Sequence, residues 1–508
     1  MSLASRPPRS VSHALLVLLL AVLVLPGCRM SGENPGPGPT SPGATPRPFT
    51  VMSTDAVRVT DPAAMTDAAS AMFAVNVFQR LMSAAPGDSL RPKPDAARDC
   101  GFIESPTIYT CTLKAGLTFH NGHALDASDV KFSVERAARL NVEGSSASLL
   151  SSLRRIATPD PLTVRFLLSR ADTQFGWALA SPAASIVDEQ VYNTDEIRPP
   201  SQDAAGSGPF SVTAFGDKEI TFTRFPAYNG FTPAALDTLV YRTAPDSATI
   251  EDAMAKHTVD LVWRGLTTAA VTRYSQQVQL SPDQVTADGF GQQALTGKRV
   301  LQLAWNPESR LRANQGLRQA IAVALQGDRT LDSIVPGGVL GHAASFPLGG
   351  KATPKVTWKS RIKLTLGYDS TEPNGRDIAN QIRSRLEDTG GLSVQLRADD
   401  TGADLMLVDR KAWTPTAIAW LQPYLDAPLS GTADVVDAVI TNFLKTPPSD
   451  VAEADRLVTD LQRQAALDLL VLPISQSDEY VYARSGVELA ATSYGPGWQL
   501  GLFGIKDG

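Results

Sequence analysis

Leu113-Lys114-Ala115-Gly116-Leu117-Thr118-Phe119-His120-Asn121-Gly122-His123-Ala124-Leu125-Asp126-Ala127-Ser128-Asp129-Val130-Lys131-Phe132-Ser133-Val134-Glu135-Arg136 passes from strand-like to helical patterning within two dozen residues. Asn121-Gly122 supplies the positive φ that a tight turn needs. Asp126 or Ser128 can accept from the first free helical N–H groups, and Asp129 places negative charge at the positive end of the helix. Val130, Val134, Ala137 and Ala138 fall on one face at helical spacing, with Leu140 near its edge. The segment therefore predicts a strand end, a turn and a capped amphipathic helix, and it carries no chemistry of its own.

Leu113 to Gly116, Phe119 to Gly122 and Asp129 to Arg136 match a longer pattern in order and spacing. They resemble the signature of the extracytoplasmic solute-binding proteins of ABC importers, family 5, the oligopeptide, dipeptide and nickel group. Further landmarks agree with that resemblance. Gly206-Ser207-Gly208-Pro209-Phe210 is similar to the family's Gly-Thr-Gly-Pro-Phe/Tyr turn, and Pro226-Ala227-Tyr228-Asn229-Gly230 to its Asn-Pro-x-Tyr turn. Leu301 to Asn306 resembles its strand crossing into the last domain, followed by the helix Leu317 to Leu325.

The resemblance covers residues 50–508 and implies an α/β, periplasmic-binding-protein-like class II fold. Two main lobes would enclose a ligand cleft, with a third domain inserted. Domain I would comprise residues 50–75, 205–298 and 470–508, domain II residues 76–204 and domain III residues 299–469. The segment quoted first would be scaffold in domain II, and ligand would lie between domains I and III.

The composition is that of a globular chain: 508 residues, 43% hydrophobic and 19% charged, with a formal charge of −6. Nothing in it suggests the clustered basic face that nucleic-acid binding wants. Arg6 and Arg9 precede the apolar run Ala14 to Leu25, which has the length of a signal peptide and is short for a bilayer span of about 20 residues. Leu25-Pro26-Gly27-Cys28 stands where a bacterial lipobox would, so residues 1–27 resemble a lipoprotein signal and Cys28 its lipid anchor. Residues 28–49 hold six prolines, from Pro35 to Pro48, among Gly, Ser and Thr, the composition of an extended tether. The expected location is extracytoplasmic, on the membrane through the lipid alone.

Of the three cysteines, Cys100 and Cys111 remain. They are equidistant from Ser105-Pro106, so a hairpin centred there would bring them face to face as a disulfide. The oxidising side of the membrane permits that bond.

The sequence presents no catalytic constellation: Gly-x-Ser-x-Gly, His-Glu-x-x-His and the P-loop pattern are all missing. His120 and His123 flank the Asn121-Gly122 turn and read as solvated turn residues in preference to a metal clasp. No cofactor or metal is expected. In peptide-binding members of the family an Asp, with a Pro four residues on, precedes an aromatic-Leu pair in domain III and takes the peptide's amino group. With Trp420-Leu421 as that pair, Trp413 and Ala417 stand where the Asp and Pro would be. Asp409 is the nearby carboxylate that could substitute, and Trp413 and Trp420 are candidates to enclose a ligand or to pack as core aromatics. The implied function is a monomeric binder that delivers a peptide, or else a chelated metal, an oligosaccharide or another solute, to an ABC permease and ATPase. A cell-surface hydrolase and a non-transport signalling lipoprotein are the alternatives of different class.

Overall fold

In the computed structural model, residues 47–84, 91–103, 105–350, 360–447, 449–490, 493 and 500–508 are described. The expected signal peptide, Cys28 and the tether up to residue 46 lie outside the described residues. No described helix is long and apolar enough to cross a membrane.

The opening segment forms the elements its patterning predicts. Ile108–Leu113 is a strand whose side chains alternate between half-buried and buried, and helix Ala127–Leu140 follows it. Asp126 is the N-cap: its side chain accepts from Ser128 N at 2.7 Å, while Asp129 accepts from Asp126 N at 3.0 Å, a reciprocal capping box. Ser128 is not the cap; its hydroxyl donates to Glu189. Ile108–Leu113 lies in a four-stranded antiparallel sheet ordered Ala97–Phe102, Ile108–Leu113, Thr163–Leu168 and Leu153–Asp160. The helix buries Val130, Val134 and Ala137 in the apolar cluster that this sheet shares.

Arg136, the last residue of the signature, is 1% exposed and grips Asp61 with two nitrogens at 3.0 and 2.5 Å. Asp61 also accepts from Arg198 N and Ala63 N, so four donors share one buried carboxylate. This bidentate pair joins the helix Ala127–Leu140 to the chain that precedes it.

A ten-stranded sheet organises the remainder. From one edge to the other it runs Leu392–Ala398, Ile362–Tyr368, Leu405–Asp409, Phe290–Trp305, Val471–Arg484, Leu261–Trp263, Phe49–Ser53, Thr238–Thr243, Glu219–Arg224 and Phe210–Phe215. Phe49–Ser53 is buried along its whole length, as a strand flanked in parallel on both sides requires.

The two long strands at the centre join the halves. Phe290–Leu295 pairs with residues 479–484 beside Leu261–Trp263, whereas Arg299–Ala304 pairs with residues 471–477 beside Leu405–Asp409. Between those stretches the register shifts, and Gly297 has φ +65° there, a conformation that suits glycine. Each half has its own apolar core. One gathers around Phe73, Phe222, Tyr241 and Trp263, the other around Leu317, Leu366, Leu421 and Tyr424.

The first strand ends at Ser53, and the first helix spans Ala68–Val77. The late strand Val471–Arg484 is long because its far half has a second partner across the sheet, Leu261–Trp263.

Candidate functional site

A cavity of about 480 Å³ opens where the two halves of the sheet meet. Its wall takes Arg264 and the helix Thr268–Leu280 from one side, and Glu372 and Asp409 from the other. Asp478, Glu479 and Tyr480 of a central strand close it from behind.

Arg264 is the side chain around which the wall is built. It follows the buried strand Leu261–Trp263 with φ +66°, and Gly265 continues with φ +90°. A Cβ on Gly265 would lie 2.8 Å from side-chain atoms of Thr54 and Ile250, so the chain can turn this sharply only with glycine there. A non-glycine residue in this region costs free energy and persists only where surrounding contacts hold it. Here four carboxylates do so. Arg264 Nη2 donates to Glu372 and Asp409 at 2.9 and 3.0 Å, Nε pairs with Glu479 at 2.9 Å, and Nη1 with Asp55 at 3.3 Å.

Arg264 is 8% exposed. Burial pulls its pKa down, yet Asp55, Glu479, Glu372 and Asp409 together hold it well above the ordinary value. Two further cations touch the cluster: Arg299 pairs with Glu372 at 3.2 Å and Lys411 with Asp409 at 2.8 Å. Burial raises Asp409, but Lys411, Arg264 and Arg299 overcome it and keep the carboxylate below its usual range. Glu372 goes the other way. Burial pushes it up to about 7, Arg264 opposes the shift, and the neighbouring Asp409 and Asp55 add to it.

Of the residues singled out in the sequence, Asp409 is at the cavity, committed to Arg264 and Lys411. Trp420 is 4% exposed in helix Ala417–Leu425 and packs in an apolar core, away from the cavity wall. Its place is the second of the two that its aromatic character allowed. Trp413 is half-buried and is also not among the lining residues. Arg264, Glu372, Arg299 and Glu479 were not singled out. The one local signal belongs to Arg264, a charged residue between Trp263 and Gly265.

Cys100 and Cys111 face each other in the hairpin and are disulfide-bonded, with Cα atoms 4.1 Å apart. His120 and His123 do not converge on a common point: His120 donates through Nε2 to Gly208 O at 3.0 Å, and His123 contacts Asp188 at 2.7 Å. Burial drops His120 to about 4, so its ring is neutral at physiological pH. No group of three or more candidate metal ligands occurs among the described residues.

The family model for bacterial extracellular solute-binding proteins, family 5, middle portion, matches residues 91–355. A glutathione-binding protein of Salmonella paratyphi A is 24% identical over 195 residues, covering 37% of this chain and 36% of that protein. The chain thus aligns with about a third of that relative's length. Among solved structures, a dipeptide-binding protein of Pseudoalteromonas sp. SM9913 in complex with Met-Leu superposes with a TM-score of 0.74 at 18% identity, over 91% of this chain and 100% of that one. The binding protein AgaA of A. tumefaciens, in complex with agropinic acid, gives a TM-score of 0.76 at 19% identity, over 91% and 98%. At such identities the structural likeness speaks for the fold, that of class II periplasmic binding proteins. The matched family is one of extracellular solute-binding proteins.

Proposed function

Because the chain belongs to the bacterial extracellular solute-binding proteins, family 5, we propose that it captures a small solute, a peptide foremost, in the cavity between residues 50–75, 205–298 and 470–508 on one side and 299–469 on the other. It hands that solute to an ABC permease and its ATPase, acting as a monomer, with residues 76–204 as the inserted domain. The observation that carries this reading is Arg264, which reaches from one half of the sheet to Glu372 and Asp409 of the other across the cavity. A cavity of this size suits a ligand of a few residues. Ligand that touches both sides favours the closed arrangement by its differential affinity for it.

A thermal-shift screen of a peptide library tests the reading. Ligand at about a hundred times its dissociation constant stabilises the fold by roughly 2.7 kcal/mol. In a protein of this size that amounts to a midpoint shift of a few degrees. Hits should compact the particle in small-angle scattering; a library without hits or compaction refutes a peptide as the solute. Cys28 is proposed as the lipid anchor, on the strength of the lipobox-like residues before it. Cys28→Ala should abolish lipid labelling and release or mislocalise the protein, and unchanged retention of a precursor-length product would show an uncleaved helix instead.

A further inference from the structure

The charges at the cavity do not balance. Among the described side chains, five carboxylates (Asp55, Glu372, Asp409, Asp478 and Glu479) stand against three cations (Arg264, Arg299 and Lys411) in the cluster and on the wall it shares. With every group ionised, the excess is two negative charges. The start of helix Thr268–Leu280 adds about half a positive charge, which leaves the balance negative.

Burying uncompensated charge is costly, and among the described residues no further cation meets the cluster: Arg264 is shared among four carboxylates, Arg299 goes to Glu372 and Lys411 to Asp409. The rise of Glu372 to about 7 is one sign of this excess, since the nearby Asp409 and Asp55 contribute to it after burial. A second sign is independent of the charge count. Glu479 is 8% exposed and lines the cavity; its Oε1 meets Arg264, while its Oε2 has no hydrogen-bond partner among the described residues. A buried carboxylate oxygen without a donor is rare in a finished structure. It marks where a donor from outside belongs.

Asp478 lines the same cavity from the next position along the strand, and one of its oxygens accepts from Gly297 N at 2.8 Å. Arg299 Nε, on the same wall, is a donor without a partner among the described residues and suits a ligand carbonyl oxygen. Building on the solute-binding reading above, we propose that the cavity selects cationic solutes, with Glu479 Oε2 and Asp478 receiving the ligand's ammonium or guanidinium group. Asp409 is not the recognising carboxylate, because its two oxygens are already held by Arg264 and Lys411.

The test is calorimetry on the mature protein with four N-acetylated, C-amidated tripeptides Ala-Xaa-Ala, where Xaa is Arg, Lys, Gln or Glu. Blocking both ends leaves the central side chain as the sole charge. The Arg and Lys peptides should bind at least about tenfold more tightly than the Gln peptide, and the Glu peptide more weakly still, as a charge-assisted hydrogen bond requires. Glu479→Gln should cut the Lys-over-Gln ratio by roughly tenfold. Asp478→Asn supplies a second variant that leaves the Arg264 contacts in place; it should lower the same ratio. Gln or Glu peptides binding as tightly as Lys, or both variants keeping the ratio, would overturn the charge preference and leave solute binding standing. Silence from all four peptides, in heat, thermal shift and scattering alike, would overturn this inference, while the solute-binding reading stands or falls separately with the library screen above.

Discussion

Replacing Arg264 with methionine keeps the reach of the side chain and removes its charge. Four carboxylates lie 2.9–3.3 Å from the guanidinium, itself 8% exposed. At an effective dielectric of about 20, two unit charges about 3 Å apart attract by roughly 5 kcal/mol, so the gross attraction is on the order of 20 kcal/mol. Desolvation offsets much of it, at several kcal/mol per buried ion. What the variant exposes is the other side of that balance: Asp55, Glu372, Asp409 and Glu479 then crowd a neutral side chain, with Arg299 and Lys411 as their remaining counter-ions. Breaking a buried ion cluster from one side costs about 3–5 kcal/mol, which is the loss expected near pH 8.

The loss should shrink in acid. Without Arg264, Glu372 loses a cation that opposes its rise and Asp409 one that holds it down, so the folded state binds more protons and stability falls as pH rises through that window. Each carboxylate raised by one further unit returns about 1.4 kcal/mol once protonated. Two such groups would leave a loss of roughly 1–2 kcal/mol near pH 5. Urea denaturation of ligand-free protein, followed by tryptophan fluorescence and far-UV circular dichroism with coincident transitions, measures both values. A loss below about 1 kcal/mol near pH 8, or an equal loss at both pH values, would refute Arg264 as the counter-ion these carboxylates depend on.

Glu372→Gln should flatten part of the wild-type pH profile: with Glu372 pushed up to about 7 by burial, its contribution is favourable in acid and is lost as pH rises from about 4.3 through 7, and parallel urea titrations across that window would show the difference. Removing the Cys100–Cys111 bond with a double serine variant should cost roughly 3 kcal/mol in the chain-entropy model, and peptide mapping of the mature wild type without reductant should find the two peptides linked, free thiols at both positions sinking the idea. Gly208→Ala should cost about 2–3 kcal/mol in urea unfolding, because its Cβ would lie 2.5 Å from Val77 C and 2.7 Å from Asn76 O, both backbone atoms. Gly116→Ala, with φ +75° but open space around it, should lose only about 1–2 kcal/mol; equal losses at the two sites would deny the packing argument.

The sequence by itself determined the local elements and, through them, the family. Asp126, Asp129, Asn121-Gly122 and the Val130–Val134 face act over a few residues, through hydrogen bonds to neighbouring N–H groups and through a period that repeats every turn. Such signals survive in the linear order, and so does the symmetric spacing of Cys100 and Cys111 about one turn. The cavity was not legible in that way. Its charges come from Asp55, Arg264, Glu372, Asp409 and Glu479, which meet only because two long strands carry the chain from one half of the sheet to the other. Trp420 shows the same limit: a helix position in sequence reads equally as core or cleft, and only packing against Leu421, Tyr424 and their neighbours assigned it to the core. Burial and Coulomb attraction depend on distance in space, and no pattern along the chain records which remote residues the folded sheet brings within 3 Å of one guanidinium.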